Sequence, residues 1–332
     1  MQNAIITGIT GQTGSYLAKI LLDKNYKVYG VVRRSSNFNT QRIDDVYDHH
    51  NLELVYGDLA DYSSITSIVN DVKPDLFFNM AAMSHVRVSF DIPEYTMDVT
   101  GTGVIRCLEA IRRNSPNTRF LQASSSEMFG SSPPPQNEET PFHPRSPYAV
   151  AKVAGYHATV NYREAYDMFA SNAISYNHES PFRGETFVTR KITRAATRIK
   201  CGLQDKLYLG NLSAKRDWSH AKDVANAMYM ILTSDKPDDY CIASGYMYSV
   251  EEFVEKVFSS LELNWKDYVE IDPRYFRPTE VDALCGDSSK LRKNLGWELE
   301  YDFDSLVKEM VDEDMKSAQK EKLVLDYEKG DG

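Results

Sequence analysis

Short apolar runs and amphipathic stretches alternate through the first half of the chain. Residues 4–7, 27–32, 52–56, 75–79 and 118–123 carry runs of mostly apolar positions, the pattern of strands covered on both faces. Between them, residues 15–23, 62–72 and 95–113 space their apolar side chains three and four apart, which predicts helices. Strand and helix alternating at this period imply parallel pairing, so the expected fold class is α/β with a doubly wound, Rossmann-type parallel sheet. Residues 131–147, rich in Pro, Ser, Asn and Glu, break the rhythm and lead into a helix starting near Pro147. Residues 169–176 read as one more strand. Beyond 178 the regular rhythm is lost, with helices at 186–201, 221–232, 249–260 and 305–318 among short strands. The pattern therefore predicts a sheet domain over 1–178 and a smaller C-terminal α/β lobe over 179–330, some of whose segments pack back on the first. The charged tail from Lys320 reads as frayed.

Composition narrows the class. A 332-residue chain with 42% hydrophobic and 26% charged residues is ordinary for a soluble globular protein. No leader and no apolar stretch approaching ~20 residues is visible, which points to a cytoplasmic location. A net charge of −10 argues against nucleic acid as a partner but leaves room for a small anion held by clustered arginines. Cys107, Cys201, Cys241 and Cys285 are scattered without a C-x-x-C, so they read as reduced thiols. His49-His50 lacks a cysteine or carboxylate cage, and no metal is expected.

Gly8-x-x-Gly11-x-x-Gly14 follows a strand at once and opens a helix. Glycines there permit a tight turn and let backbone N–H groups approach a pyrophosphate at the positive end of the helix. Gly8, Thr10, Gly11, Gln12, Thr13 and Gly14 are the candidate phosphate-binding residues. Where NAD binders end their second strand on an acid, this chain has Arg33, Arg34, Ser35 and Ser36, which suits the 2′-phosphate of NADP. Asp58 and Leu59 close the third strand on the adenine side. Met80, Ala81, Ala82, Met83 and Ser84 close the fourth on the nicotinamide side.

Tyr148 has a lysine, Lys152, one helical turn later, after a strand ending in Ser124-Ser125-Ser126-Glu127. Tyrosine needs a shift of ~3 units, about 4 kcal/mol, to act as a base near neutrality. One ammonium at ~4 Å supplies about that much at an effective dielectric of ~20. Ser125 and Glu127 are expected to alternate along one strand face, with Ser126 turned away. Plain hydride transfer needs no acid; Glu127 becomes useful when a carbon-bound proton must also be removed.

These residues, together with Ser84-His85-Val86, Ser146-Pro147-Tyr148, Asn177-His178-Glu179-Ser180-Pro181, Phe187-Val188-Thr189-Arg190-Lys191, Gly210-Asn211-Leu212, Lys215-Arg216-Asp217-Trp218 and Arg277-Pro278-Thr279-Glu280-Val281-Asp282, resemble the GDP-mannose 4,6-dehydratase family of extended short-chain dehydrogenases from about residue 3 to 311. The resemblance implies that bound NADP takes the C4 hydride of GDP-mannose while Tyr148, assisted by Lys152 and Ser125, takes the hydroxyl proton. Glu127 then removes the C5 proton, water leaves from C6, and the hydride returns there. It also implies that Tyr95, His178 and Arg183 join the cofactor shell, and that Ser84, Asn177, Lys191, Arg216, Arg277 and Glu280 face the GDP-sugar. A homodimer through the helices at 95–113 and 148–166 is implied, and a homotetramer in which segment 33–42 reaches a neighbour's cofactor. Three positions depart from the family: Ser125 stands where threonine is usual, Met83 where many members have glutamine, and Phe182 where many have arginine.

Two other readings stay open. One is dehydration of another GDP-sugar, such as a GDP-heptose, because a pocket can accept one more carbon without an obvious signature. The other is a non-catalytic NADP-sensing protein; retention of Tyr148, Lys152 and Glu127 speaks against it.

Overall fold

Ala4, Ile5 and Ile6 are buried on both faces of the first strand, so that strand must lie inside a sheet with helices above and below. The computed structural model describes residues 1–276, 278–328 and 330. Seven strands form one parallel sheet: β1 (Asn3–Thr7), β2 (Lys27–Val32), β3 (Leu52–Tyr56), β4 (Leu76–Asn79), β5 (Arg119–Ser125), β6 (Ala170–Ser175) and, much later in the chain, β11 (Asp239–Ile242). Their spatial order is β11-β6-β5-β4-β1-β2-β3, every neighbouring pair parallel. The short strands lie outside it. β7 (Asn177–Glu179) pairs with β10 (Trp218–His220), and β8 (Leu207–Leu209) with β13 (Val269–Ile271). β9 (Lys215–Arg216) sits between β12 (Tyr248–Ser249) and β14 (Ala283–Leu284).

Adjacent residues of one strand feed opposite cores. Ile6 packs with Leu17 and Leu21 of α1 (Gln12–Asp23) and with Val224, Met228 and Ile231 of α8 (Ala221–Thr233). Ile5 turns the other way, to Ile65 and Val69 of α2 (Tyr62–Val72) and Val104, Leu108 and Ile111 of α5 (Gly103–Asn114). Each such side chain, fully buried, contributes about 1.5–3 kcal/mol. A further core joins α7 (Val188–Lys200), α9 (Val250–Ser260) and α11 (Phe303–Glu328) around Ile192, Phe253, Phe258 and Met310. The remaining helices are α3 (Val86–Ser89), α4 (Pro93–Met97), α6 (Pro147–Tyr166) and α10 (Ser289–Leu295). The order in which strands are added reverses about β1, which lies between β2 and β4, so a crevice opens at the carboxyl ends of β1 and β4.

Three elements differ from the sequence pattern. Residues 95–113 are not one uniform helix: α4 and α5 are joined by a π turn at Asp98–Thr102. The strand expected over 169–176 stops at Ser175, and the chain re-enters a separate pairing as β7. The tail is helical to Glu328, and α7 meets it through an Arg198–Glu321 ion pair. Among the described residues no helix is long and apolar enough to cross a membrane.

Candidate active site

At the end of β1 the backbone of Gly8 takes φ +70°, and α1 begins after Gly11 with no side-chain cap. Its first-turn amides are thereby left to a ligand. A Cβ on Gly14 would lie 2.4 Å from the Gly8 carbonyl oxygen, and one on Gly8 3.1 Å from the Ala81 backbone. This all-backbone cradle with an uncapped helix start fits a dinucleotide pyrophosphate. Thr7, which no motif singled out, holds the adjoining turn: its hydroxyl donates to Asn79 Oδ1 (2.7 Å) and accepts from the amides of Met80 (3.0 Å) and Ala81 (3.1 Å).

Gln12 and Thr13 tie the loop to the chain after β6. Gln12 Nε2 donates to the His178 carbonyl (2.9 Å), and the Ser180 hydroxyl donates to Gln12 Oε1 (2.8 Å). His178 Nδ1 lies 2.8 Å from the Tyr176 carbonyl, which can only accept, so the ring proton sits on Nδ1. Nε2 is then the acceptor for the Thr13 hydroxyl at 2.8 Å. Burial, aided by the nearby Arg183 charge, pushes His178 down to about 4, so the ring is neutral at physiological pH.

The chemical end of the site is built on β5 and α6. Ser146 caps α6 by accepting from Ala149 N, and Pro147 occupies the first turn, which places Tyr148 over the end of β5. Tyr148 is 8% exposed; burial pushes its phenol up to about 12, while the neighbouring Ser125 hydroxyl and the charge of Arg183 pull the other way. Lys152, 3% exposed, does not bond the phenol. Its ammonium donates to the Ala123 carbonyl (2.6 Å) and sits 5.7 Å from the Tyr148 ring centroid, and burial alone takes it down to about 8. The ammonium's hydrogen bond thus goes to the β5 backbone rather than to the phenol, while its charge stays beside the Tyr148 ring.

Ser125 and Glu127 do not alternate on one strand face either. β5 ends at Ser125, whose hydroxyl accepts from Glu127 N (3.2 Å) and caps a single 3-10 turn, Ser126–Met128. Glu127 is buried on that turn rather than on the strand, and its charge acts on Tyr148.

One cleft of about 860 Å³ gathers most of the candidate residues. It runs from Gly8, Gly11, Gln12, Thr13 and Gly14 past Met80, Ala82 and Ser84 to Ser125, Glu127, Tyr148 and Lys152. It continues along Asn177, His178 and Arg183 to Lys191, Arg216 and Glu280. Arg183 pairs with the buried Glu179 at 3.0 Å. Lys191 donates to the Tyr208 carbonyl (2.6 Å) and lies 3.4 Å from the Tyr275 ring centroid. Arg216, buried, donates to the Val281 carbonyl (2.8 Å). Arg277 lies outside the described residues.

The remaining candidates do not line this cleft. Arg33, Arg34, Ser35 and Ser36 are exposed at the end of β2, where Arg33 donates to the Tyr95 hydroxyl (2.9 Å). Asp58 caps its own turn by accepting from Ala60 N (2.9 Å). Leu59 points into the core against Gly103, which leaves only its backbone for a ligand, and its carbonyl accepts from Arg106 (2.9 Å). Met83 N is held by Thr100 Oγ1 (3.1 Å), the Thr10 carbonyl accepts from Arg42 (3.2 Å), and Phe182 packs at a tilt against Tyr16.

A sequence model of the family described as GDP-mannose 4,6 dehydratase matches residues 5–310. The chain is 58% identical to GDP-mannose 4,6 dehydratase 2 of Arabidopsis thaliana, over 97% of this chain and 89% of the relative. It is 49% identical to the GDP-mannose 4,6-dehydratase of Vibrio cholerae, over 97% and 96%. Among solved structures, the dTDP-glucose 4,6-dehydratase of Bacillus anthracis in complex with NAD superposes with a TM-score of 0.84 at 22% identity, covering 96% of this chain and 98% of that one. That likeness concerns the fold.

Proposed function

We propose, from the premise that this chain belongs to the GDP-mannose 4,6-dehydratase family, that the cleft converts GDP-mannose to GDP-4-keto-6-deoxymannose and water. The enzyme is a hydro-lyase, and its cofactor is a nicotinamide dinucleotide on the Gly8–Gly14 loop. Arg33 and Arg34 support NADP, since two guanidiniums at the end of β2 suit a 2′-phosphate. Bound oxidised NADP supplies the acceptor of the C4 hydride, which it later returns at C6, and a positive charge near the buried phenol.

The chain's own groups move the protons. Tyr148 Oη takes the C4 hydroxyl proton, with the Ser125 hydroxyl beside it in the cleft. Glu127 removes the C5 proton, acidic once C4 is a ketone, and delivers it to the departing C6 hydroxyl as water forms. The proton held on Tyr148 goes back to C5 as hydride arrives at C6, so the atoms balance. Lys191 and Arg216 face the diphosphate and base of the sugar nucleotide, within a lobe that we assign to residues 179–330. Exposed Met97, Ile105, Val150 and Tyr166 on α4, α5 and α6 support a homodimer through these helices. Phe38, 93% exposed, supports a further contact by segment 33–42 that gives a tetramer. Its compartment in this reading is the cytoplasm.

The observation that carries the reading is Glu127, a buried carboxylate in one cleft with Tyr148 and Ser125, where reversible hydride transfer alone requires none. The test is incubation with GDP-mannose and trace NADP, followed by mass spectrometry. A product lighter by one water is expected; unchanged substrate beside tightly held cofactor refutes the assignment.

A further inference from the structure

Arg183 enters the cleft from a tight turn in which Arg183 N bonds the Ser180 carbonyl (2.9 Å). Carbonyls of that turn are clamped from outside it. Arg190 of α7 donates to the carbonyls of Pro181 and Arg183 (the latter 3.3 Å), and Arg42 donates to that of Phe182 (2.7 Å). Three guanidiniums, Arg42, Arg183 and Arg190, therefore surround one short segment. Such an arrangement holds only where buried anions balance it. Glu179 is one, 1% exposed and paired with Arg183; Thr189 also donates to it (2.5 Å).

The other anion comes from far along the chain. Asp314 of α11 is 2% exposed and accepts from Arg190 Nε at 2.8 and 2.9 Å, with Arg190 Nη2 2.7 Å away. The Thr193 hydroxyl donates to it as well (2.6 Å). Asp314 does not line the cleft. A bidentate carboxylate–guanidinium pair fixes the plane of Arg190, and hence the direction of its remaining donors toward Pro181 and Arg183.

We infer that Asp314 is a positioning residue for cofactor retention: through Arg190 it holds the 180–184 turn so that Arg183 stays directed at the bound dinucleotide. The inference rests on the reading above that Arg183 contacts the cofactor. An enzyme that lends a hydride and takes it back must not release the cofactor in between. The C-terminal helix thereby takes part in keeping it. By linkage the effect is reciprocal, and a bound cofactor steadies the docking of α11.

The test is a fluorescence titration of the purified, cofactor-free protein with NADPH, comparing Asp314→Asn, Arg183→Gln and Glu313→Gln. Asp314→Asn is expected to weaken NADPH binding about tenfold, raising the KM for NADP while kcat at saturating NADP is largely kept. Glu313→Gln, which loses only the exposed pair with Lys316, should bind as wild type. If Arg183→Gln binds NADPH normally, the assignment of Arg183 to the cofactor is wrong. If Arg183→Gln loses affinity but folded Asp314→Asn does not, the positioning role is overturned. Should Asp314→Asn not fold, amide hydrogen exchange on the wild type decides. NADPH must slow exchange in residues 306–318 of α11; protection confined to the cleft walls overturns the inference.

Discussion

Gly14→Ala probes the cradle most directly. The added methyl carbon would stand 2.4 Å from the Gly8 carbonyl oxygen and 3.0 Å from the Ile9 Cα, both backbone atoms with no flexible end to swing aside. Relief requires the loop and the start of α1 to part by roughly 0.6 Å or more, a misplacement of the size that degrades positioned contacts. Gly8 cannot absorb it readily, because its own backbone lies against Ala81 and holds φ +70°. Charge-assisted hydrogen bonds are worth about 1.5–3 kcal/mol each. Weakening one amide–phosphate contact therefore lowers cofactor affinity by about 10- to 100-fold. NADPH fluorescence titration measures this, with Gly296→Ala as control: Gly296 has φ +68° but nothing near its Cβ position, so that change strains a helix end without touching the loop. Should Gly14→Ala bind NADPH within about threefold of wild type, the pyrophosphate does not sit on this loop.

Glu127→Gln should take up hydride without eliminating water, so the absorbance of reduced nicotinamide persists while dehydration falls by about 10²–10⁴-fold; dehydration at the wild-type rate would refute its role as the C5 base. Replacing Arg33 and Arg34 together by alanine should shrink the preference for NADP over NAD by at least about tenfold, measured as the ratio of the two binding constants; an unchanged ratio places the selector elsewhere. His220 caps α8 through Nδ1, and burial lowers it from 6.5 to about 4. Its neutral form is favoured in the folded state, so its contribution is fully present above pH 6.5 and is lost as pH falls toward 4. Relative to His220→Gln, the wild type should lose stability across that window, by at most about 3 kcal/mol because the Glu309 carboxylate 3.1 Å from Nε2 favours the protonated ring. Urea unfolding of both proteins at the two ends reads it, and a constant difference rules it out.

The parallel sheet was legible because most of its strands carry apolar runs that repeat with the helices between them, and Ile5 and Ile6 announce two cores by themselves. The cleft residues were legible where spacing and chemistry coincide, as in the glycine loop and the Tyr148–Lys152 turn. What spacing could not carry was which group a charge prefers. Lys152 shares a helix face with Tyr148, yet the carbonyl of Ala123, a residue on another element, takes its ammonium. The end of β5 was invisible for a similar reason: Ser125 can continue a strand or cap a turn, and here it caps. Thr7 and Asp314 were missed as determinants because their partners lie tens of residues or more away, and Glu179 because nothing in its sequence block marks the ion pair with Arg183. The C-terminal extension of α11 was hidden by its charge, which reads as solvated until Arg198 is seen to meet Glu321.

β6 bears on how the chain is made. All six of its residues are buried, and its outer edge is covered only by β11, whose Asp239 also accepts from Arg163 and from Asn172 N. During synthesis about 60 residues must follow β6 before that edge can close, a delay on the order of seconds at ordinary translation rates. Through that interval the nascent chain presents a sheet edge with unpaired backbone groups, the state most open to pairing with another chain. Yield of folded enzyme should therefore depend on translation speed and chaperone supply more than its finished stability would suggest, and C-terminally truncated products ending before β11 are the species to look for in the aggregates.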